Sequence, residues 1–258
     1  MMKFFVSKKK QKNINFPNDT DIVALHDYHA LYFAIPKVAN TSFKAYIVDL
    51  LGDQISAEYL HSEKKQFPFR DRDGRIFLKK SNILLNFENA IPFSHYRQFC
   101  FVRNPWDRLL SCYLQKIYET PINTQFTING VYRGFYKKFG TTFYAGMKFP
   151  DFVDAVSQIP DNEADRHFRS QYTFFSSPAY RFEMNFIGYF ERISKDFESV
   201  RQLCGFPPDI QFPHLLKMKR GDYKNYYSKS LIERVGYRYE TDIKMFGYGF
   251  DSTPPIKE

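Results

Sequence analysis

The hydrophobic positions fall in short clusters whose period changes along the chain. In "DIVALHDYHALYFAIP" two apolar runs flank the polar "HDYH", which predicts two short strands around a turn. "TSFKAYIVDLLG" then switches to helical spacing, with Phe43, Ile47 and Leu51 on one face and Gly52 at its end. "RQFCFVRNPWDRLLSCYLQKIY" repeats the order strand, turn, helix. Asn104 suits the N-cap, Pro105 the first helical position, and Asp107 the place where a capping carboxylate helps. "FPDFVDAVSQI" predicts a short helix. "MNFIGYFERISKDFESVRQLCGF" predicts a strand and a helix with Phe197, Val200 and Cys204 inward, and "SKSLIERVGYRYETDIKMFGY" a closing helix with an aromatic tail.

Two segments lack a period. "ETPINTQFTINGVYRGFYKKFGTTFYAG" reads as an inserted loop region, and "HSEKKQFPFRDRDGRIFLKK" is charged with a turn at Asp73-Gly74. Strands alternating with helices predict one α/β domain over residues 21–258 with a mainly parallel central sheet flanked by helices. Residues 1–20 read as a flexible basic segment.

Composition narrows the chemistry only slightly. Lys and Arg exceed Asp and Glu by 37 to 28, a net +9 that attracts anionic partners. The basic residues are dispersed and the aromatics follow no RNA-recognition pattern, which argues against nucleic acid. Cys100, Cys112 and Cys204 are odd in number and far apart, and no Cys/His cluster suits a metal. The apolar patch Phe4–Val6 is too short for a signal-peptide core, and no later run reaches the length of a membrane span. These features predict a soluble protein of a reducing, cytoplasmic compartment.

The two strand–turn–helix corners carry the candidate chemistry. Helix starts present unpaired N–H groups with partial positive charge. In "PKVANTSF" the amides from Asn40 onward, the hydroxyls of Thr41 and Ser42, and the charge of Lys37 can surround an anion. A nucleotide kinase would instead carry the glycines and terminal lysine of a Walker loop, and this segment has neither. In "FVRNPWDRLLS" Arg103 ends a strand and Ser111 lies two turns into the helix, sharing a face with Arg108. Two such corners predict a ligand with two separated anionic ends.

"PKVANTSFKAYI" resembles the 5′-phosphosulfate loop of sulfotransferases. "FVRNPWDRLLSCY" resembles the 3′-phosphate site of the carbohydrate sulfotransferase group, the family-2 chondroitin/HNK-1-like enzymes and their bacterial relatives. The similarity continues in order through "HFRSQYTFF", "FIGYFERISKDFESV" and "RGDYKNYYSKSLIERVGYRYETDIKMFGYGF".

The resemblance implies a P-loop-like α/β fold, the donor 3′-phosphoadenosine-5′-phosphosulfate, no metal, and a glycan or polysaccharide hydroxyl as acceptor. Pro36, Lys37, Val38, Ala39, Asn40, Thr41 and Ser42 would form the 5′-phosphosulfate loop. Arg103, Ser111 and Arg108 would attend the 3′-phosphate. "KRGDYKNYY" resembles the segment that closes over the nucleotide, which adds Lys219 and Arg220. Lys37 would also neutralise the departing oxygen. The base is expected at His167, with Arg169 and Gln171 orienting sugar groups; His95 and Glu191 are the alternatives. Ala39 stands where the family often carries glycine. A left-handed alanine costs roughly 1–2 kcal/mol, so ordinary dihedrals are expected there. A sulfotransferase-like fold that binds nucleotide or glycan without catalysis stands as the competing reading.

Overall fold

The structure, a computed structural model, describes residues 20–52, 69–70, 75–80, 93–118, 120–122, 124–177, 180–213 and 220–252. The basic segment 1–19, the Asp73-Gly74 turn and Lys219 lie outside the described residues.

The first apolar cluster forms the hairpin the pattern predicts. Strands β1 (Asp21–Leu25) and β2 (Ala30–Ala34) pair antiparallel around a 3-10 turn at His26–Tyr28. Every residue of β2 is buried, so this strand is covered on both faces. Helix α1 (Asn40–Leu50) returns over the sheet and buries Phe43, Tyr46, Ile47 and Leu50. The Phe43 ring stacks on Tyr32 at 4.2 Å. Apolar spacing and one aromatic stack thus fix the exit angle of the first corner.

Further along the chain come β3 (Phe69–Arg70), β4 (Ile76–Lys80), β5 (Arg97–Val102) and α2 (Pro105–Tyr113). The main sheet is completed by β10 (Phe186–Tyr189), giving the order β10-β5-β2-β1-β4-β3. β10, β5 and β2 run parallel, and β4 shares their direction because two antiparallel pairings separate it from β2. The sheet is therefore mixed, with most of its strands in one direction. Its parallel part carries both corners, so β2 and β5 release their helices at the same edge. Gly188 on β10 is required: a Cβ there would meet the Phe101 ring at 2.4 Å.

The segment expected as a loop is folded. β6 (Thr127–Ile128) and β7 (Val131–Tyr132) form a hairpin, followed by α3 (Arg133–Phe139). The signal was present in "INGVY": Asn129 and Gly130 both take positive φ, 50° and 74°, as a tight hairpin turn demands. Phe135 on α3 is fully buried against Phe143 and Phe168.

Helix α4 (Phe149–Gln158), a short ladder of β8 (Ser176–Ser177) with β9 (Tyr180–Arg181), α5 (Ile193–Cys204), α6 (Lys229–Arg238) and α7 (Glu240–Phe246) complete the described elements. The three cysteines are buried and unpaired. Among the described residues no helix is long and apolar enough to cross a membrane.

Candidate active site

The first corner turns between Ile35 and Asn40. Val38 is fully buried and pins the loop to the core. Lys37 takes φ 72° and Ala39 φ 53°, ψ 25°. The expectation of ordinary dihedrals at Ala39 is thus corrected. The chain must reverse within four residues while the carbonyls of Pro36 and Lys37 face the neighbouring corner. Arginines hold both: Arg108 Nε donates to Pro36 O at 3.1 Å, and Arg103 Nη1 to Lys37 O at 3.0 Å. These bonds offset the left-handed strain. Ala39 has no polar side-chain atom, so no side chain caps the start of α1. Asn40 is oriented by Tyr32, whose hydroxyl donates to Oδ1 at 2.5 Å.

At the second corner Asn104 caps α2 as predicted, its Oδ1 accepting from Trp106 N at 3.1 Å. The Arg103 guanidinium lies over the Phe190 ring, 4.1 Å from its centroid. Its Nε and Nη2 meet Asp107 Oδ2 at 2.9 and 2.7 Å. Asp107 Oδ1 holds Arg220, which places two guanidinium groups on one carboxylate. Arg220 Nη1 is buried and has no protein partner among the described residues. Ser111 is buried on α2. The corners therefore meet: Lys37, Arg103 and Arg220 converge through one carbonyl and one carboxylate.

Arg108, expected near the 3′-phosphate, is turned into the protein interior. It is fully enclosed, and Nε, Nη1 and Nη2 donate to the carbonyls of Pro36, Arg169 and Arg166 at 3.1, 2.7 and 3.2 Å. Each of its three guanidinium nitrogens is thus held by a backbone carbonyl. Arg169 and Gln171, expected to orient sugars, are likewise fully buried. Arg169 packs on the Phe174 ring, and Gln171 bonds the backbone of Arg103.

The π-helical turn Leu114–Tyr118 continues α2 and carries two groups the sequence reading missed. Such a widened turn redirects side chains, a common device at functional sites. Gln115 Oε1 accepts from Lys37 Nζ at 2.6 Å, and Lys116 Nζ sits 3.7 Å over the Tyr132 ring. Tyr132 in turn meets the His167 ring edge-on at 5.2 Å. A chain of contacts thus joins Lys37 to His167.

The His167 side chain is 16% exposed, and Nδ1 lies 2.6 Å from Asp165 Oδ1. Burial first, with the nearby Lys116 and Arg166 charges, pulls the imidazole down to about 4 against the help of Asp165. Burial raises the Asp165 carboxyl, yet its hydrogen bond and charge interaction with His167 leave it below the usual range. At neutral pH the pair is therefore a carboxylate and a neutral imidazole. The carboxylate accepts the Nδ1 proton, which leaves the Nε2 lone pair available. Lys37 is pulled down to about 7, mainly by burial and further by Lys116, Arg103 and Arg108.

The other base candidates are placed elsewhere. His95 lies just before β5, at the end opposite Arg103, and its ring meets that of His29 at a tilt, 5.1 Å between centroids. Glu191 is a brace: Oε1 accepts from Asn104 N at 2.6 Å and Oε2 from the Tyr248 hydroxyl at 2.9 Å. Gln115, Lys116, Tyr132 and Asp165 had no local signature, and Asp107, expected from its position as a capping carboxylate, instead meets Arg103 and Arg220. Their roles arise from partners across the fold. Among the described residues no group of three His, Cys, Asp or Glu side chains could hold a metal.

A parallel core in which the neighbouring strands β2 and β5 each run into a helix fronted by a cation defines an α/β protein. The chain belongs to the sulfotransferase family, whose family model matches residues 20–249. It is similar to carbohydrate sulfotransferase 10 of Xenopus laevis, 23% identical over 88% of this chain and 67% of that protein. Carbohydrate sulfotransferase 14 of Homo sapiens is 26% identical over 86% of this chain and 58% of its own length. Carbohydrate sulfotransferase 11 of Mus musculus is 24% identical over 82% and 60%. The chain thus spans roughly three fifths to two thirds of these relatives. No solved structure gives a significant match.

Proposed function

We propose that this chain transfers a sulfonate group from 3′-phosphoadenosine-5′-phosphosulfate to a hydroxyl of a carbohydrate acceptor. The observation that carries the reading is the bond from Arg103 Nη1 to the Lys37 carbonyl, 3.0 Å, which makes the two cationic corners one surface. A buried Arg220 Nη1 without a hydrogen-bond partner among the described residues and a desolvated Lys37 at the start of α1, which no side chain caps, fit a doubly anionic ligand. The named relatives, all carbohydrate sulfotransferases, support the acceptor class.

Lys37, with the amides and hydroxyls from Asn40 to Ser42, would hold the 5′-phosphosulfate; Arg103, Arg220 and Ser111 would hold the 3′-phosphate. When bound, the donor supplies an electrophilic sulfur whose leaving group is a phosphate. His167 Nε2 takes the acceptor hydroxyl proton, and Asp165 holds the opposite ring nitrogen so that the resulting imidazolium is stabilised. Lys37, protonated once an anion is beside it, neutralises charge on the departing oxygen. Gln115 positions that ammonium at rest. Lys116 adds positive charge on the acceptor side.

Thermal shift tests the reading. Adenosine 3′,5′-bisphosphate should stabilise the chain well above ATP with magnesium or AMP, by linkage. Lys37→Ala and Arg103→Ala should each abolish that shift. Greater stabilisation by ATP with magnesium would replace this reading with a kinase, and bisphosphate binding without sulfonate transfer to any glycan would make the chain a binding protein.

A further inference from the structure

Gln171 and Asp242 are fully buried and take no part in the chemistry above. The carboxamide of Gln171 meets the backbone of Arg103 from both sides. Arg103 N donates to Oε1 at 2.9 Å, and Nε2 donates to Arg103 O at 2.8 Å. This is the pairing a neighbouring strand would provide, supplied by a side chain where β5 ends. Asp242 on α7 fixes the pair from behind. Its carboxylate accepts from Gln171 N at 2.7 Å and Tyr172 N at 2.9 Å, and Oδ2 lies 3.4 Å from Gln171 Nε2. A carboxylate facing Nε2 decides which way the amide points. Since Arg103 also bonds the Lys37 carbonyl, one path runs from α7 to both corners.

We propose that Asp242 is a positioning residue for the donor's 3′-phosphate: its carboxylate, acting through Gln171, holds the Arg103 corner in the shape that receives the ligand. This rests on the reading that Arg103 meets that phosphate. Burial raises the Asp242 carboxyl to about 6, against the amides of Gln171 and Tyr172 and the charge of Arg108, while Asp161 raises it further. Arg238 and the Tyr172 hydroxyl are the other titratable groups that sense it. Above this value both oxygens accept. Below it one oxygen carries a proton, and an N–H that pointed at it loses its acceptor.

Asp242→Asn keeps the shape and makes that change permanent. Affinities for adenosine 3′,5′-bisphosphate and adenosine 5′-phosphosulfate are compared by calorimetry in variant and wild type. At pH 8 the variant should bind the bisphosphate roughly tenfold more weakly, the scale of one charge-assisted hydrogen bond. The 5′-phosphosulfate, which lacks the 3′-phosphate, should change far less. The variant-to-wild-type ratio of dissociation constants for the bisphosphate should fall toward one at pH 5.5, since the ligand's own titration cancels in the ratio. If Asp242→Asn does not fold, Gln171→Met removes both backbone contacts at similar volume and must show the same split between ligands. Equal weakening of both ligands, a lowered melting temperature with unchanged affinities, or a ratio independent of pH overturns the role. A wild type that binds neither ligand overturns the donor reading itself, before any variant is compared.

Discussion

Lys37 couples donor binding to proton uptake, and the size of the coupling follows from the site. In the free protein its ammonium sits at about 7 because burial and three neighbouring cations disfavour the charge. At pH 8 about nine tenths of the molecules then hold a neutral Lys37. An anion placed beside it restores the ammonium. Adenosine 3′,5′-bisphosphate should therefore take up about 0.9 proton per site at pH 8 and about 0.5 at pH 7. Affinity should fall about fivefold from pH 7 to 8 and about tenfold from 8 to 9. Above pH 7 the ligand phosphates are fully ionised and contribute little. Cys112, the nearest thiol, is pushed up to about 12 by burial and stays silent.

Calorimetry in two buffers of different ionisation heat measures the uptake directly. Lys37→Arg, charged throughout, should abolish it and flatten the pH dependence. Buffer-independent heats at pH 8, or an unchanged slope in Lys37→Arg, would refute the reasoning. Stability carries the opposite sign. The unfolded chain keeps Lys37 protonated up to 10.5, so between about 7 and 10.5 it binds more protons than the folded state. This residue therefore makes the free protein more stable as pH rises through that window, while donor binding weakens.

Other substitutions separate strain, support and chemistry. Ala39→Gly should relieve roughly 1–2 kcal/mol of left-handed strain and lose about half of it to the freer unfolded chain. The net rise in melting temperature is about 2 °C, and a fall would show that the loop is not strained. Arg108→Met strands two buried carbonyls and one partly buried carbonyl and should cost about 3–6 kcal/mol in urea unfolding; a loss under about 1 kcal/mol would contradict the clamp. His167→Gln should lower kcat by about 10²–10⁴ with bisphosphate affinity within about twofold, whereas His95→Gln should leave turnover unchanged. Equal effects at the two histidines would remove His167 as the base.

Both corners were legible as strand, turn and helix because the signals for those elements are local, whereas the bonds from Arg103 and Arg108 that hold the first turn, and its left-handed Ala39, were not. Apolar runs, the Asn104 cap, Pro105 and helical spacing after Asn40 act within a few residues of one another. The hairpin at Asn129-Gly130 was equally local, though its short strands hid it among polar aromatics.

The amino-acid sequence by itself determined the order of strands and helices, the two helix starts, and the cations in front of them. Tertiary structure alone decided which cation faces a ligand. Arg103 and Arg108 are five residues apart on one corner, yet one meets the Lys37 carbonyl at the site and the other is consumed by carbonyls at 36, 166 and 169. Glu191, Gln171 and Asp242 became braces through partners 57 to 87 residues away. A buried polar side chain goes where unsatisfied groups await it, and those groups are gathered only when the chain folds.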